Sequence, residues 1–149
     1  MSDPESDGPG TERAGGIVAD TTVRVVAPFA ATLGLFTTLH GTSSVGGGFQ
    51  GGVVIAATIL LLAFAVGPGC VRSALAVPRS PALAAGGVLG FAVVGVGPVA
   101  FGGRVLELSV YPIPKPVVYA TELAEVAIAV TVSATLVGLW FLLAGDFRA

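Results

Sequence analysis

The residues with the clearest chemical potential are two glutamates in an otherwise apolar stretch. Glu122 and Glu125 lie three positions apart, so a helix would carry both on one face. If that helix begins near Pro116, the pair lies roughly 9–14 Å along it, at about 1.5 Å per residue. A carboxylate at such a depth in a membrane is costly and marks an ion route or a buried pair. We therefore take both as candidate ion-pathway residues that could pass protons or loosely hold Na⁺.

Two other interpretations of the glutamate pair are open. The segment from Val126 to Leu143 is by itself long enough to span a bilayer. Both carboxylates would then lie at the outer headgroup level, in contact with water. If they are buried, they could instead be neutralised by Arg104 or by a basic residue of a neighbouring subunit.

His40 is the third candidate, because an imidazole can exchange a proton near neutral pH. A histidine at the membrane interface that hydrogen-bonds a loop is the alternative. Cys70 is the single cysteine, which excludes an internal disulfide and a cysteine-based metal site. The chain carries no Cys/His metal spacing and no nucleophile elbow. We therefore predict no catalytic residue, no metal, no cofactor and no enzyme activity.

A glycine-rich segment precedes the second apolar stretch and reads His40-Gly-Thr-Ser-Ser-Val-Gly-Gly-Gly-Phe-Gln-Gly-Gly52. The pairs Gly47/Gly51 and Gly48/Gly52 have the small-xxx-small spacing that lets helix backbones approach closely in lipid. Alternatively, the segment is a broken helix start whose N–H groups face water or an ion. A phosphate loop is not predicted, because no Gly-Lys-Ser/Thr follows and no strand precedes.

The elements that position these residues are predicted to be membrane helices. The chain of 149 residues is 54% hydrophobic and only 11% charged, against roughly 25% charged residues in typical globular domains. Six of its charged residues crowd the first twenty positions. The remainder has too few charges to cover the surface of a soluble protein, whereas a protein embedded in a bilayer does not need them.

Four apolar segments approach or exceed the length of about 20 residues that a membrane-spanning helix requires. They run from Val23 to Leu39, Gly51 to Val66, Leu83 to Phe101 and Val117 to Ala144. We predict an all-α integral membrane protein with four transmembrane helices. A disordered acidic tail is predicted over residues 1–19, the membrane domain over 20–145 and a short C-terminal tail over 146–149. Gly67-Pro68-Gly69 should end the second helix, and Pro116 should occupy the first turn of the fourth.

The distribution of Lys and Arg predicts that both termini face the cytoplasm. In that orientation the inner side holds Arg13, Arg24, Arg72, Arg79 and Arg148, and the outer side holds Arg104 and Lys115. The predicted location is a multi-pass position in the cell (cytoplasmic) membrane. No basic patch is present, so nucleic acid is not an expected partner.

The glycine-rich segment resembles the signature of the B subunit (MnhB/MrpB) of Mrp-type multisubunit sodium/proton antiporters, a domain also found in membrane-bound hydrogenase complexes. That family carries a His-Gly or Gly-His pair, then Pro, then Gly-Gly-Gly-Phe, one variable residue and Gly-Gly. Val45 stands where the family usually has Pro, and Thr42 where many members have a second His. The matching positions are His40, Gly41, Gly46, Gly47, Gly48, Phe49, Gln50, Gly51 and Gly52.

The resemblance covers roughly residues 20–145 and implies an accessory subunit of a complex that exchanges Na⁺ for H⁺ across the cytoplasmic membrane. The implied partners are the other membrane subunits, the lipid bilayer and the two transported ions. The large antiporter-like subunits would carry the main proton-pumping residues. Two alternatives are the same module in a hydrogenase or complex-I-like respiratory complex, and a stand-alone structural membrane protein. Gene neighbourhood would separate the antiporter complex from the hydrogenase or respiratory complex.

Overall fold

The computed structural model describes residues 9–42, 46–75 and 79–146, and within these ranges the chain is helical without strands. The helices are α1 (Pro9–Leu39), α2 (Gly48–Val66), α3 (Pro68–Ala74), α4 (Ser80–Val96) and α5 (Pro116–Asp146). Two 3₁₀ turns, Gly97–Phe101 and Leu108–Val110, lie between α4 and α5. Among the described residues, four segments are long and apolar enough to cross a membrane: Val18–Leu39, Gly48–Val66, Ser80–Phe101 and Pro116–Ala144. The predicted all-α, four-span class is confirmed.

Helix α1 begins at Pro9, well before the predicted start at Val23. It therefore runs through polar positions that the sequence assigned to the tail, while residues 1–8 lie outside the described part of the chain. One turn of this extension is closed by an ion pair between Arg24 and Asp20, whose N and O atoms are 3.0 Å apart. Pairs of opposite charge at this spacing stabilise a helix, which helps it continue beyond its apolar part.

Proline and glycine set the other helix boundaries. Helix α2 ends at Val66, as predicted, and Gly67 has a φ of 93°, which turns the chain. Pro68 is then the first residue of α3, so the chain resumes a helix at once instead of entering a loop. Pro116 is the first residue of α5, which confirms the predicted helix start.

The end of α4 is shaped by Pro98, which lacks the N–H group that would bond to the carbonyl of Val94. The hydroxyl of Tyr111 donates to that carbonyl at 2.9 Å. The N–H of Leu106 donates to the carbonyl of Gly95 at 2.8 Å. Both bonds tie the connection between α4 and α5 back onto the end of α4.

The four spans form a row in the order α1, α2, α5, α4, because α2 packs on α1 and α5, and α5 packs on α2 and α4; α1 also touches α5. Helices α2 and α5 run in the same direction, since Gly48 lies against Glu125 and Gly52 against Ala129. The N-in/C-in orientation of the row in a membrane stays a prediction. The core lies where α2, α3 and α5 meet and contains Ala56, Ala63, Val71, Val137 and Phe141.

Candidate functional site

The candidate site lies where the α1–α2 turn meets α5. Glycines in the turn and at the start of α2 make room for Glu125. A side-chain carbon at Gly41 would overlap the Glu125 carboxylate, and one at Gly48 would overlap the Glu125 backbone. Only a residue without a side chain fits either position in this arrangement. The glycine-rich motif and Glu125, which are far apart in the sequence, therefore form one structure.

Gly47 is the last residue before α2 and has a φ of 152°, a conformation that other residues rarely adopt. A side-chain carbon placed there would lie 3.2 Å from Gln50 Oε1 and 3.9 Å from Glu125 Oε1. An amide oxygen and a carboxylate oxygen thus converge on Gly47 from α2 and α5. Within the described residues, no group of three or more His, Cys, Asp or Glu side chains converges as a metal site.

Glu122 contacts the same turn one helical turn before Glu125. The hydroxyl of Thr42 donates a long hydrogen bond of 3.4 Å to Glu122 Oε1. Glu125 lies against Gly41 of this turn, so both glutamates contact it. The predicted shared face is therefore directed at the α1–α2 turn. We did not predict that Thr42 takes part in the site. The signal that could have revealed it is its position in the motif, where many family members have a second histidine.

The Oε2 atom of Glu125 is buried and has no hydrogen-bond partner within the described part of the chain. An unpaired buried acceptor costs about 1–3 kcal/mol, and more when it is charged. A proton on the carboxyl, a cation or a water molecule would each remove this cost. The Oε2 atom is therefore the unsatisfied hydrogen-bond acceptor of the site.

Arg104 does not neutralise the glutamate pair in this structure, although the sequence left that possibility open. The ion pair recorded among the described side chains joins Arg24 and Asp20, on α1. A basic residue of a neighbouring subunit remains a prediction.

The position of Glu125 along the helices can be compared with its neighbours, while its depth in a membrane stays a prediction. Glu125 is level with Gly48, the first residue of α2, and lies beside the turn that follows α1. The first nine residues of α5 project about 13 Å beyond this level, at 1.5 Å per residue. The carboxylate therefore lies level with the end of α1 and the start of α2, under the glycine turn, while α4 continues beside α5 past this level.

His40 lies at the end of α1, directly before Gly41. Its ring stacks on Phe36, with ring centroids 4.1 Å apart and an angle of 21° between the planes. Its backbone N–H donates to the Phe36 carbonyl at 3.0 Å, which continues the helical hydrogen bonding. The site thus includes His40 as a neighbour of the turn, and its proton-handling role stays a prediction.

The remaining glycines of the motif pack the helices together. A side-chain carbon at Gly51 would overlap the Thr38 hydroxyl of α1, and one at Gly52 would lie 2.8 Å from the Ala129 carbonyl of α5. Gly48 and Gly52 therefore form the predicted small-residue pair against α5. The proposed pair Gly47/Gly51 is not a pair within one helix, because Gly47 precedes α2.

The outer members of the motif are placed differently. Gly46 lies against α1, since a side-chain carbon there would be 2.9 Å from the Thr37 carbonyl. Phe49 and Gln50 are exposed on α2. Val45 lies outside the described residues, so its replacement of the family's proline has no structural account.

Four helices that can span a membrane define a polytopic membrane protein, and a half-buried carboxylate lies under its glycine turn. Residues 18–144 match the family model described as "Domain related to MnhB subunit of Na+/H+ antiporter". The chain therefore belongs to this family, and the predicted resemblance is confirmed. No curated protein matches the chain significantly.

Proposed function

We propose that this chain is an accessory membrane subunit of a multisubunit, Mrp-type cation/proton antiporter that exchanges Na⁺ for H⁺ across the cytoplasmic membrane. Its family relation to the MnhB subunit supports a place in a sodium/proton antiporter complex. The order of the four spans supports an accessory role, because α1 and α4 lie at opposite ends and the spans do not close into a ring around a pathway. Its partners are the other membrane subunits of the complex.

The observation that carries the ion-route part of the proposal is the unpartnered Oε2 atom of Glu125 under the glycine turn. Carboxylates within membrane spans are typical of ion and proton routes. Glu125 would exchange a proton or a sodium ion at this position, with Glu122 as the second carboxylate on the same face. His40, at the end of α1, would lie at the entrance to the same turn.

The test is exchange by the intact complex in membrane vesicles that carry Glu125→Gln or Glu122→Gln. Glutamine keeps the shape of the side chain and removes its charge and its exchangeable proton. We expect Glu125→Gln to lower Na⁺-dependent proton exchange by about tenfold, equivalent to about 1.4 kcal/mol in the barrier. Glu107→Gln is the matched control, because Glu107 is an exposed carboxylate between α4 and α5.

Two results would count against the proposal, and they address different parts of it. Wild-type exchange by the Glu122→Gln/Glu125→Gln double variant would remove the ion route while leaving the subunit role. Failure of the wild-type chain to co-purify with other antiporter subunits would overturn the subunit role itself.

A further inference from the structure

A second feature lies at the far end of the α2–α5 pair from Glu125. A cavity of about 440 Å³ opens between the end of α2, helix α3 and the end of α5. Phe64, Trp140 and Phe141 form its aromatic wall, and Arg72 is the charged residue of its lining. The site is thus apolar on one side and cationic on another.

Helix α3 fixes the position of the arginine. Gly67 turns the chain away from α2, and Pro68 starts the new helix. Val71 is 6% exposed and packs in the core shared by α2 and α5. Because Arg72 directly follows this buried anchor, its backbone is held at the cavity.

The aromatic wall is built by edge-to-face contacts. The Phe64 and Trp140 ring centroids are 5.4 Å apart with planes at 73°, and those of Trp140 and Phe141 are 4.8 Å apart at 90°. Both arrangements are favourable for aromatic pairs. Tryptophan is enriched where a membrane protein meets the lipid headgroups, and Trp140 lies near the end of its span.

The charge of Arg72 is not balanced by the described side chains. Arg72 is exposed, and no ion pair or side-chain hydrogen bond to a carboxylate is recorded for it within the described part of the chain. Arg24 provides the contrast, because its guanidinium is paired with Asp20. A planar guanidinium can bind phosphate through two parallel hydrogen bonds. The cavity therefore combines an anion-binding group with a wall that suits a hydrocarbon chain.

We propose that this cavity binds an anionic glycerophospholipid. Arg72 binds the phosphate, and the wall of Phe64, Trp140 and Phe141 receives the glycerol and the upper part of an acyl chain. A free phosphate would use the guanidinium and leave the aromatic wall empty. A lipid matches both halves of the cavity, and its headgroup lies at the depth where these helices end.

The chain offers a direct probe, because Trp140 is its single tryptophan. The full-length protein is reconstituted in vesicles that contain phosphatidylglycerol or phosphatidylcholine with brominated acyl chains, which quench tryptophan fluorescence on contact. We expect brominated phosphatidylglycerol to quench Trp140 with an apparent affinity about fivefold higher than phosphatidylcholine, since an arginine near an anionic bilayer surface contributes about 1 kcal/mol.

Arg72→Gln should reduce this preference to about one, the value expected without the charge. Arg72→Lys should retain part of it, since lysine keeps the charge but not the two parallel bonds. Arg79→Gln is the matched control, because Arg79 is exposed at the start of α4 and outside the cavity lining. It should leave the preference unchanged. Circular dichroism of each variant verifies that the helices are intact.

Three outcomes would overturn the proposal. The first is equal quenching of the wild-type protein by the two lipids. The second is an unchanged preference in Arg72→Gln. The third is an absence of quenching by either lipid, which would mean that a protein segment fills the cavity and shields Trp140.

Discussion

The two ends of the α2–α5 pair are packed in different ways. At the Gly48 end the contact involves backbone atoms directly, because a side-chain carbon at Gly48 would overlap the Glu125 backbone. At the Phe64 end the contact is between aromatic side chains, with a cavity beside them. In lipid, close packing and hydrogen bonds hold helices together in place of the hydrophobic effect. The glycine end therefore positions a carboxylate closely, and the aromatic end leaves room for a ligand.

The strongest test of this contrast is Gly48→Ala. The added carbon would meet backbone atoms of α5, which cannot rotate away, so the helices must separate. We expect a loss of about 1–3 kcal/mol in the free energy of unfolding, the range for overpacked cores. Thermal unfolding in detergent, followed by circular dichroism, would measure it.

Gly86→Ala is the control for this change, because nothing lies within 4 Å of the carbon it would add to α4. It should be neutral or slightly stabilising, since alanine favours a helix more than glycine does. Equal unfolding midpoints for Gly48→Ala and Gly86→Ala would contradict the close packing of α2 on α5.

Gly41→Ala separates the position of the carboxylate from the stability of the helix pair. Here the atoms nearest to the added carbon belong to the end of the Glu125 side chain, which can rotate away. We expect a smaller loss of stability than for Gly48→Ala, together with reduced Na⁺-dependent proton exchange, because the carboxylate leaves the turn. Exchange is measured in vesicles containing the intact complex, with Gly86→Ala as the control. Full exchange with a displaced carboxylate would show that its exact position is unimportant.

The smallest effect is expected at the aromatic end, from Phe64→Leu. This change removes the edge contact with Trp140, which is worth about 0.5–1.5 kcal/mol beyond buried area. The effect should lie at the low end of that range, because Phe64 is 72% exposed. Trp140 emission and the unfolding midpoint would report it. Phe29→Leu is the matched control: Phe29 is 71% exposed, and no ring contact is recorded for it among the described residues. Identical shifts in both variants would mean that the ring contact contributes nothing.

Much of the fold was predictable, because in a bilayer the formation of each helix depends on consecutive residues of the sequence. A span must satisfy its own backbone hydrogen bonds, so a long apolar segment is a helix wherever its neighbours lie. Pro116 marked the start of α5 correctly for the same local reason. The start of α1 was predicted too late, because the helix continues from the apolar stretch into polar residues.

The candidate site was predictable only in its parts. The glycine motif and the glutamate pair each stood out by composition and spacing. Gly41 and Gly48 lie against Glu125 because α2 packs beside α5. No pattern of neighbouring residues in the sequence encodes this packing. The contact between Thr42 and Glu122, and the cavity that Arg72 and Trp140 both line, depend on that same packing.

The sequence by itself determined that this is a four-span helical membrane protein of the MnhB-related family, because span length, hydropathy and the glycine motif are properties of consecutive residues. Only the tertiary structure decided the order of the spans in the row and the residues that meet at each end. The physical reason is that contacts between helices depend on which small residues face one another. Facing glycines at one end, and facing rings at the other, arise only when helices from distant parts of the chain pack together.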